Sequence, residues 1–141
     1  MKKQAYTTLM IAVLIATAFN SAQAQSDWLI KANVPFNFVI RDRTLPAGEY
    51  VFELVHIGGS EAIKIRSADG NITAFAPARS ERAKASNAKL TFNRYESQFF
   101  LSQVDGLEAT ATQVLAKSRV EERLIDSATE RSRVSVAASK R

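Results

Sequence analysis

"NVPFNFVIRDRTLPAGEYVFEL", residues 33–54, carries the pattern that decides the fold. In its first part Val34, Phe36, Phe38 and Ile40 alternate with Asn33, Pro35, Asn37 and Val39; in its last part Tyr50, Phe52 and Leu54 alternate with Val51 and Glu53. Successive side chains of a strand point to opposite faces, so a period of two predicts two half-buried strands. Between them "LPAGE" has turn chemistry. Pro46 has a preset φ, and Gly48 can take a left-handed conformation, which predicts a turn that reverses one strand into the next. Arg41-Asp42-Arg43 is an alternative polar reversal just before it.

The same habit extends outward. Ile63 and Ile65 alternate with Lys64 and Arg66, and Leu90, Phe92 and Phe100 repeat it in "KLTFNRYE" and "SQFFLSQV". Asp69-Gly70 suits a tight hairpin, and Gly58-Gly59-Ser60 and Glu96-Ser97 mark further turns. Such closely spaced short strands predict an all-β domain, an antiparallel β-sandwich or small open barrel of about seven strands. After Gly106 the apolar content thins. Ser118 and Glu121 have capping-box spacing, each side chain serving the other residue's free N–H, so a short C-terminal helix is expected there. Its apolar stripe would be Val120, Leu124 and Ala128, and the chain from Ser132 onward is expected to fray.

The first 24 residues stand apart. Lys2 and Lys3, the apolar run Leu9–Phe19 and the small residues Ser21 to Ala24 have the layout of a secretory signal peptide cleaved after Ala24. Eleven apolar residues fall short of the ~20 a spanning helix needs, so no transmembrane span is expected in the mature chain. Export to the periplasm or the extracellular space follows as the expected localisation. The chain has no cysteine, which excludes disulfides and thiolate chemistry. The expected organisation is signal peptide 1–24, all-β domain 25–116, and basic, partly helical tail 117–141.

Charge narrows the partners. The chain is +5, and loss of Lys2 and Lys3 would leave +3. Residues 25–116 carry ten basic and ten acidic side chains, whereas 117–141 carry seven against four. A nucleic-acid binder would be expected to show its excess on the folded body, so none is expected here. Arg79, Arg82, Lys84 and Lys89 form the densest local cluster, a solvated loop on the plain view and a contact for an anionic glycan on the sharper one. His56, the only histidine, is in phase with Leu54 and reads as a strand-end residue. Neither a nucleophile elbow, nor a metal-ligand spacing, nor a phosphate-cradling glycine loop occurs, so no catalytic residue and no cofactor is assigned. The aromatic residues are expected to fill a core rather than line a groove.

"VPFNFVIRDRTLPAGEYVFEL", "IKIRSADG", "LTFNRYESQFFLSQV" and "AKSRVEER" together resemble a family of small, uncharacterised, signal-bearing bacterial proteins. That family shares a V-P-F-x-F strand, an L-P-A-G-E-Y turn, an F-L-S-Q-V hairpin and a basic S-R-x-E-R segment. The resemblance spans nearly the whole mature chain and implies a coherent fold, with no catalytic residues to carry over. The expected function is therefore a non-enzymatic structural or interaction module in the cell envelope or outside the cell. An extracellular module for glycans or other anionic ligands is the alternative, and a small hydrolase comes third.

Overall fold

The computed structural model describes residues 29–84 and 87–140. The expected signal peptide and its cleavage point at Ala24 lie outside the described residues. The strands are β1 (Leu29–Val34), β2 (Phe38–Ile40), β3 (Arg43–Leu45), β4 (Gly48–Ile57), β5 (Ser60–Ser67), β6 (Thr73–Arg82), β7 (Lys89–Tyr95), β8 (Gln98–Asp105), β9 (Ala111–Leu115) and β10 (Arg131–Lys140). One helix, α1 (Arg119–Ser127), lies between β9 and β10.

Eight of the strands close on themselves. The order β8-β7-β10-β1-β4-β5-β6-β9 is antiparallel throughout, and β9 returns to β8 through Gln103↔Val114, Val104↔Gln113 and Asp105↔Thr112. Among the described residues the fold is all-β with one short helix, as expected. It is a closed barrel, not a sandwich or an open barrel, because β8 has a partner on both sides and closure leaves the ring no unpaired edge. The hairpin β2–β3 stands outside the ring and joins it by a single parallel pairing, Val39↔Phe100. Its Phe38, Ile40 and Leu45 enter the core at the end of the barrel where β1 finishes and β4 starts.

The phases read from the sequence are those of the barrel. Tyr50, Phe52, Leu54, Ile63, Ile65, Leu90 and Phe92 are buried in one core cluster, and their neighbours Glu53, Lys64 and Arg66 lie on the outer face. An eight-stranded ring is just wide enough for side chains to fill. Phe38 stands edge-on to Tyr50 and Phe92, with centroids 5.2 and 5.5 Å away, and Phe36 stacks on Phe99 at 3.9 Å. Adjacent Phe99 and Phe100 part as period two requires. Phe99 packs against the core, while Phe100 is buried beside Tyr95 on the outer side.

The tail departs from expectation. Residues 131–140 do not fray; they form β10, pairing Arg131–Ala137 with β7 and Ala138–Lys140 with β1. "RSRVSVAASK" itself alternates, placing half-buried Val134, Val136 and Ala138 on the inner side. Its apolar side chains are small, and what holds it is the pair of strand edges it bridges. The division at residue 116 therefore does not separate a domain from an appendage.

The turns also sort differently. LPAGE reverses no hairpin, because β3 pairs with β2 and β4 pairs with β1 and β5. The reversal is Arg41-Asp42, with Ile40 opposite Arg43 and Arg41 at φ 55. Gly48, at φ 159, is extended backbone opening β4 and not left-handed. Pro46 belongs to the corner that follows β3, where its carbonyl accepts the Tyr50 hydroxyl at 2.7 Å. Burial holds the Tyr50 hydroxyl above its ordinary pKa. Gly58-Gly59, both at positive φ, make the two-residue β4–β5 turn that suits the right-handed strand twist. Asp69 and Gly70 lie in the β5–β6 loop, closed by Ser67 N–H to Ile72 O at 3.0 Å. Asp69 accepts from the Ser67 hydroxyl and the Asn71 N–H, which hold its carboxyl below the usual range.

Candidate functional site

With the barrel interior packed, the candidate sites lie on its wall and at its ends. The sequence cluster Arg79, Arg82, Lys84 and Lys89 does not converge. Arg79 and Arg82 belong to β6, not to a loop, and their odd and even positions place them on opposite faces of that strand. Arg79 is spent on Glu81, with Nη2 and Nε 2.7 and 2.8 Å from Oε1. Lys84 is exposed in the connection after β6, and Lys89 opens β7 opposite Asp105.

A different basic group does meet. Arg41 and Asp42 of the β2–β3 turn, Pro77 of β6, and Ala116, Lys117, Ser118 and Arg119 line a concavity of about 320 Å³. Three cations face one carboxylate, and none of the three belongs to an ion pair among the described residues. The groove abuts the start of α1, whose unpaired N–H groups carry partial positive charge. Proximity in sequence tied Lys117 to Arg119, but Arg41 lies more than seventy residues away and arrives only through the docked hairpin.

The helix cap is half of what the spacing implied. Ser118 is the N-cap, and its Oγ accepts the Glu121 N–H at 3.1 Å. The Glu121 carboxylate does not return the bond to Ser118. It is buried, 3% exposed, and accepts from Asn93 Nδ2 at 2.9 Å and from the Tyr95 hydroxyl at 3.2 Å. A carboxylate thus docks α1 on the outer face of β7, while Val120 and Leu124 are only half-buried. Burial and the adjacent Glu121 charge raise the Tyr95 pKa, with Arg131 and Arg133 acting the other way.

The constellation with the most internal chemistry has no motif in the sequence. At the opposite end of the barrel from β2–β3, Glu61, Ser80 and Gln113 fall on the inner phases of β5, β6 and β9. The β8–β9 loop folds over that end, with Leu107 in the core and Glu108 beside Gln113. Ser80 donates its N–H and its hydroxyl to Glu61 Oε2, both at 2.8 Å. Glu108 Oε2 stands 3.2 Å from the same hydroxyl and accepts Gln113 Nε2 at 2.8 Å. His56, in phase with Leu54 as expected, ends near this group with Nε2 3.9 Å from Glu61 Oε1. One clue was legible: Gln113 is two residues from Leu115, so a strand there turns its amide inward. On the outer face Asp105 accepts from Gln103 Nε2 and from the Thr112 hydroxyl.

Among the described residues no group of three or more His, Cys, Asp or Glu is placed to hold a metal ion. No helix among them is long and apolar enough to cross a membrane. No family model, curated protein or solved structure matches the chain.

Proposed function

We propose that this protein is an exported, non-enzymatic binding module of the cell envelope or extracellular space, engaging an anionic partner such as an acidic glycan through its outer surface. The contact centres on Arg41, Lys117 and Arg119. The observation that carries this reading is the gathering of three cations, none of them in an ion pair among the described residues, from two remote segments into one groove beside a helix start. Such a groove attracts anions, and the attraction weakens as salt rises, since the screening length is about 8 Å at physiological ionic strength. A filled core supports the same reading, because it leaves the wall and the ends as the surfaces for recognition. Membership of the signal-bearing family that the sequence resembles is part of the proposal.

The test is retention on a sulfated-polysaccharide resin at 0.15 M salt, about physiological strength, beside a neutral polysaccharide. Retention on the sulfated resin alone, lost in the triple variant R41A/K117A/R119A while R79A is retained as the parent is, supports the groove. Equal retention of the triple variant and the parent overturns it.

A hydrolytic reading has one favouring observation, the approach of Glu61 and Glu108 to a common point. Paired carboxylates of glycosidases flank the scissile bond. Here the Ser80 hydroxyl stands in the gap, bonded to Glu61, which leaves this reading second. Its check is turnover of model glycosides by the parent and by E108Q.

A further inference from the structure

We propose that the polar end of the barrel, where Glu61, Ser80, Glu108 and Gln113 meet, receives a guanidinium group, as carried by an arginine side chain of a partner protein. The site is separate from the cationic groove and does not depend on the reading built on it.

The inference rests on a shortage of donors. Three acceptor oxygens meet, Glu61 Oε2, Glu108 Oε2 and Ser80 Oγ, and the Gln113 amide nitrogen is turned toward two of them. The local donors are the N–H and hydroxyl of Ser80, both directed to Glu61, and the Gln113 amide nitrogen. Gln113 Nε2 donates to Glu108 at 2.8 Å, with Ser80 Oγ at 3.4 Å. Gln113 is fully buried, yet its Oε1 has no hydrogen-bond partner. An acceptor buried without a donor costs stability, and such groups in folded proteins call for a specific explanation. A hydroxyl carries one proton, so Ser80 cannot serve both carboxylates that approach it. Two carboxylates thus meet beside a buried amide left half-satisfied, with no lysine or arginine of the described residues bonded to them and only His56 Nε2, 3.9 Å from Glu61 Oε1, approaching from outside.

The ligand that answers this set is cationic and rich in donors. A guanidinium presents five N–H groups in a fixed planar fork, so one group can donate to both carboxylates at once. An ammonium is a point charge and does this less well. The site is open to such a group: Ser80 is exposed, and Glu61 and Glu108 are half-buried.

The test is titration of the purified full chain with N-acetyl-arginine amide, followed by nuclear magnetic resonance of the Gln113 side-chain amide and the Ser80 backbone amide. N-acetyl-citrulline amide, the uncharged isostere, N-acetyl-lysine amide and calcium chloride are run beside it. The expected result is saturable shifts of both signals with the arginine probe, weaker binding of the lysine probe and no shift with citrulline. Affinity for the arginine probe should fall at least tenfold in both E61Q and E108Q, with melting curves establishing that each variant is folded. Because neutralising one of two close carboxylates does not create a cavity, both variants are expected to fold. If neither does, S80A, which clears the gap and keeps both charges, should bind the arginine probe at least as tightly as the parent. No saturable shift at Gln113, equal response to citrulline, response to calcium alone, or undiminished affinity in E108Q would each overturn the proposal.

Discussion

Gly106 is the residue at which adding a single methyl group should do the most harm. It follows β8 at φ 95, and a Cβ built there would lie 2.6 Å from Ala88 Cα and 2.8 Å from Ala88 Cβ. Two costs therefore add. A left-handed conformation costs a residue with a Cβ roughly 1–2 kcal/mol, and overpacking a tight contact costs typically 1–3 kcal/mol. Alanine recovers about 0.4–1 kcal/mol by restricting the unfolded chain. The net expectation for Gly106→Ala is a loss of about 2–4 kcal/mol, or roughly 8–16 °C of melting temperature at ~4 °C per kcal/mol for a domain of this size. Gly70 is the control, with φ 77 and nothing within 4 Å of its built Cβ. Gly70→Ala should then lose under about 1.5 kcal/mol, since strain acts alone. Gly48→Val should cost less than Gly106→Ala, because the built Cβ meets only Tyr50 Cε2 at 3.8 Å and the cost is confined to a backbone φ of 159 that side-chain-bearing residues rarely adopt. Adding Ala88→Gly to Gly106→Ala should recover part of the loss, because it removes the clash with the Ala88 methyl while the backbone of residue 88 stays in the way. Thermal and urea melts by far-ultraviolet circular dichroism measure all four. If Gly106→Ala melts no lower than Gly70→Ala, the close approach of the β8–β9 loop to Ala88 is wrong.

Deleting residues 131–141 removes ten residue pairs with β7 and β1. At about 1 kcal/mol per net hydrogen bond, that loss is comparable to the whole stability of a domain. The truncated chain should lose its cooperative melt, and a normal melt would refute barrel closure by β10. Glu121→Ala strands Asn93 and Tyr95 beneath α1 and should cost about 1–3 kcal/mol, whereas Glu122→Ala, on the exposed side of the same turn, should stay within ~0.5 kcal/mol; equal melting temperatures would refute the docking role. Stability should also fall at alkaline pH. Tyr50 and Tyr95 have pKa values raised above 10.0, so the fold binds their protons more tightly than the unfolded chain does. Their contribution is complete below pH 10 and is lost as pH rises through the higher folded values. Tyr50→Phe and Tyr95→Phe together should flatten that decline, and an unchanged decline would refute the assignment.

Much of the barrel wall was legible in the amino-acid order. Period-two alternation identified the inward faces of β4, β5 and β7, because a strand's side chains obey its own backbone regardless of what pairs with it. The Gly58-Gly59 turn and the N-cap at Ser118 were legible for the same local reason. Closure was not, because pairings such as Ile30↔Lys140 join residues at opposite ends of the chain, and alternation says nothing about a strand's neighbour. That is why "RSRVSVAASK" passed for a fraying end: its side chains are small, and its stability comes from two edges formed elsewhere. The expected turn at LPAGE failed because Pro and Gly announce a bend without saying whether the flanking strands pair. Both polar sites fall in the same class. Arg41 reaches Lys117 and Arg119 only through the docked β2–β3 hairpin, and Glu61 reaches Ser80, Glu108 and Gln113 only through the pairing of β5, β6 and β9 and the loop that folds over their end. Alternation in the sequence determined which side chains face inward; closure of the ring decided which of them meet, because contacts between distant segments depend on strand order and register.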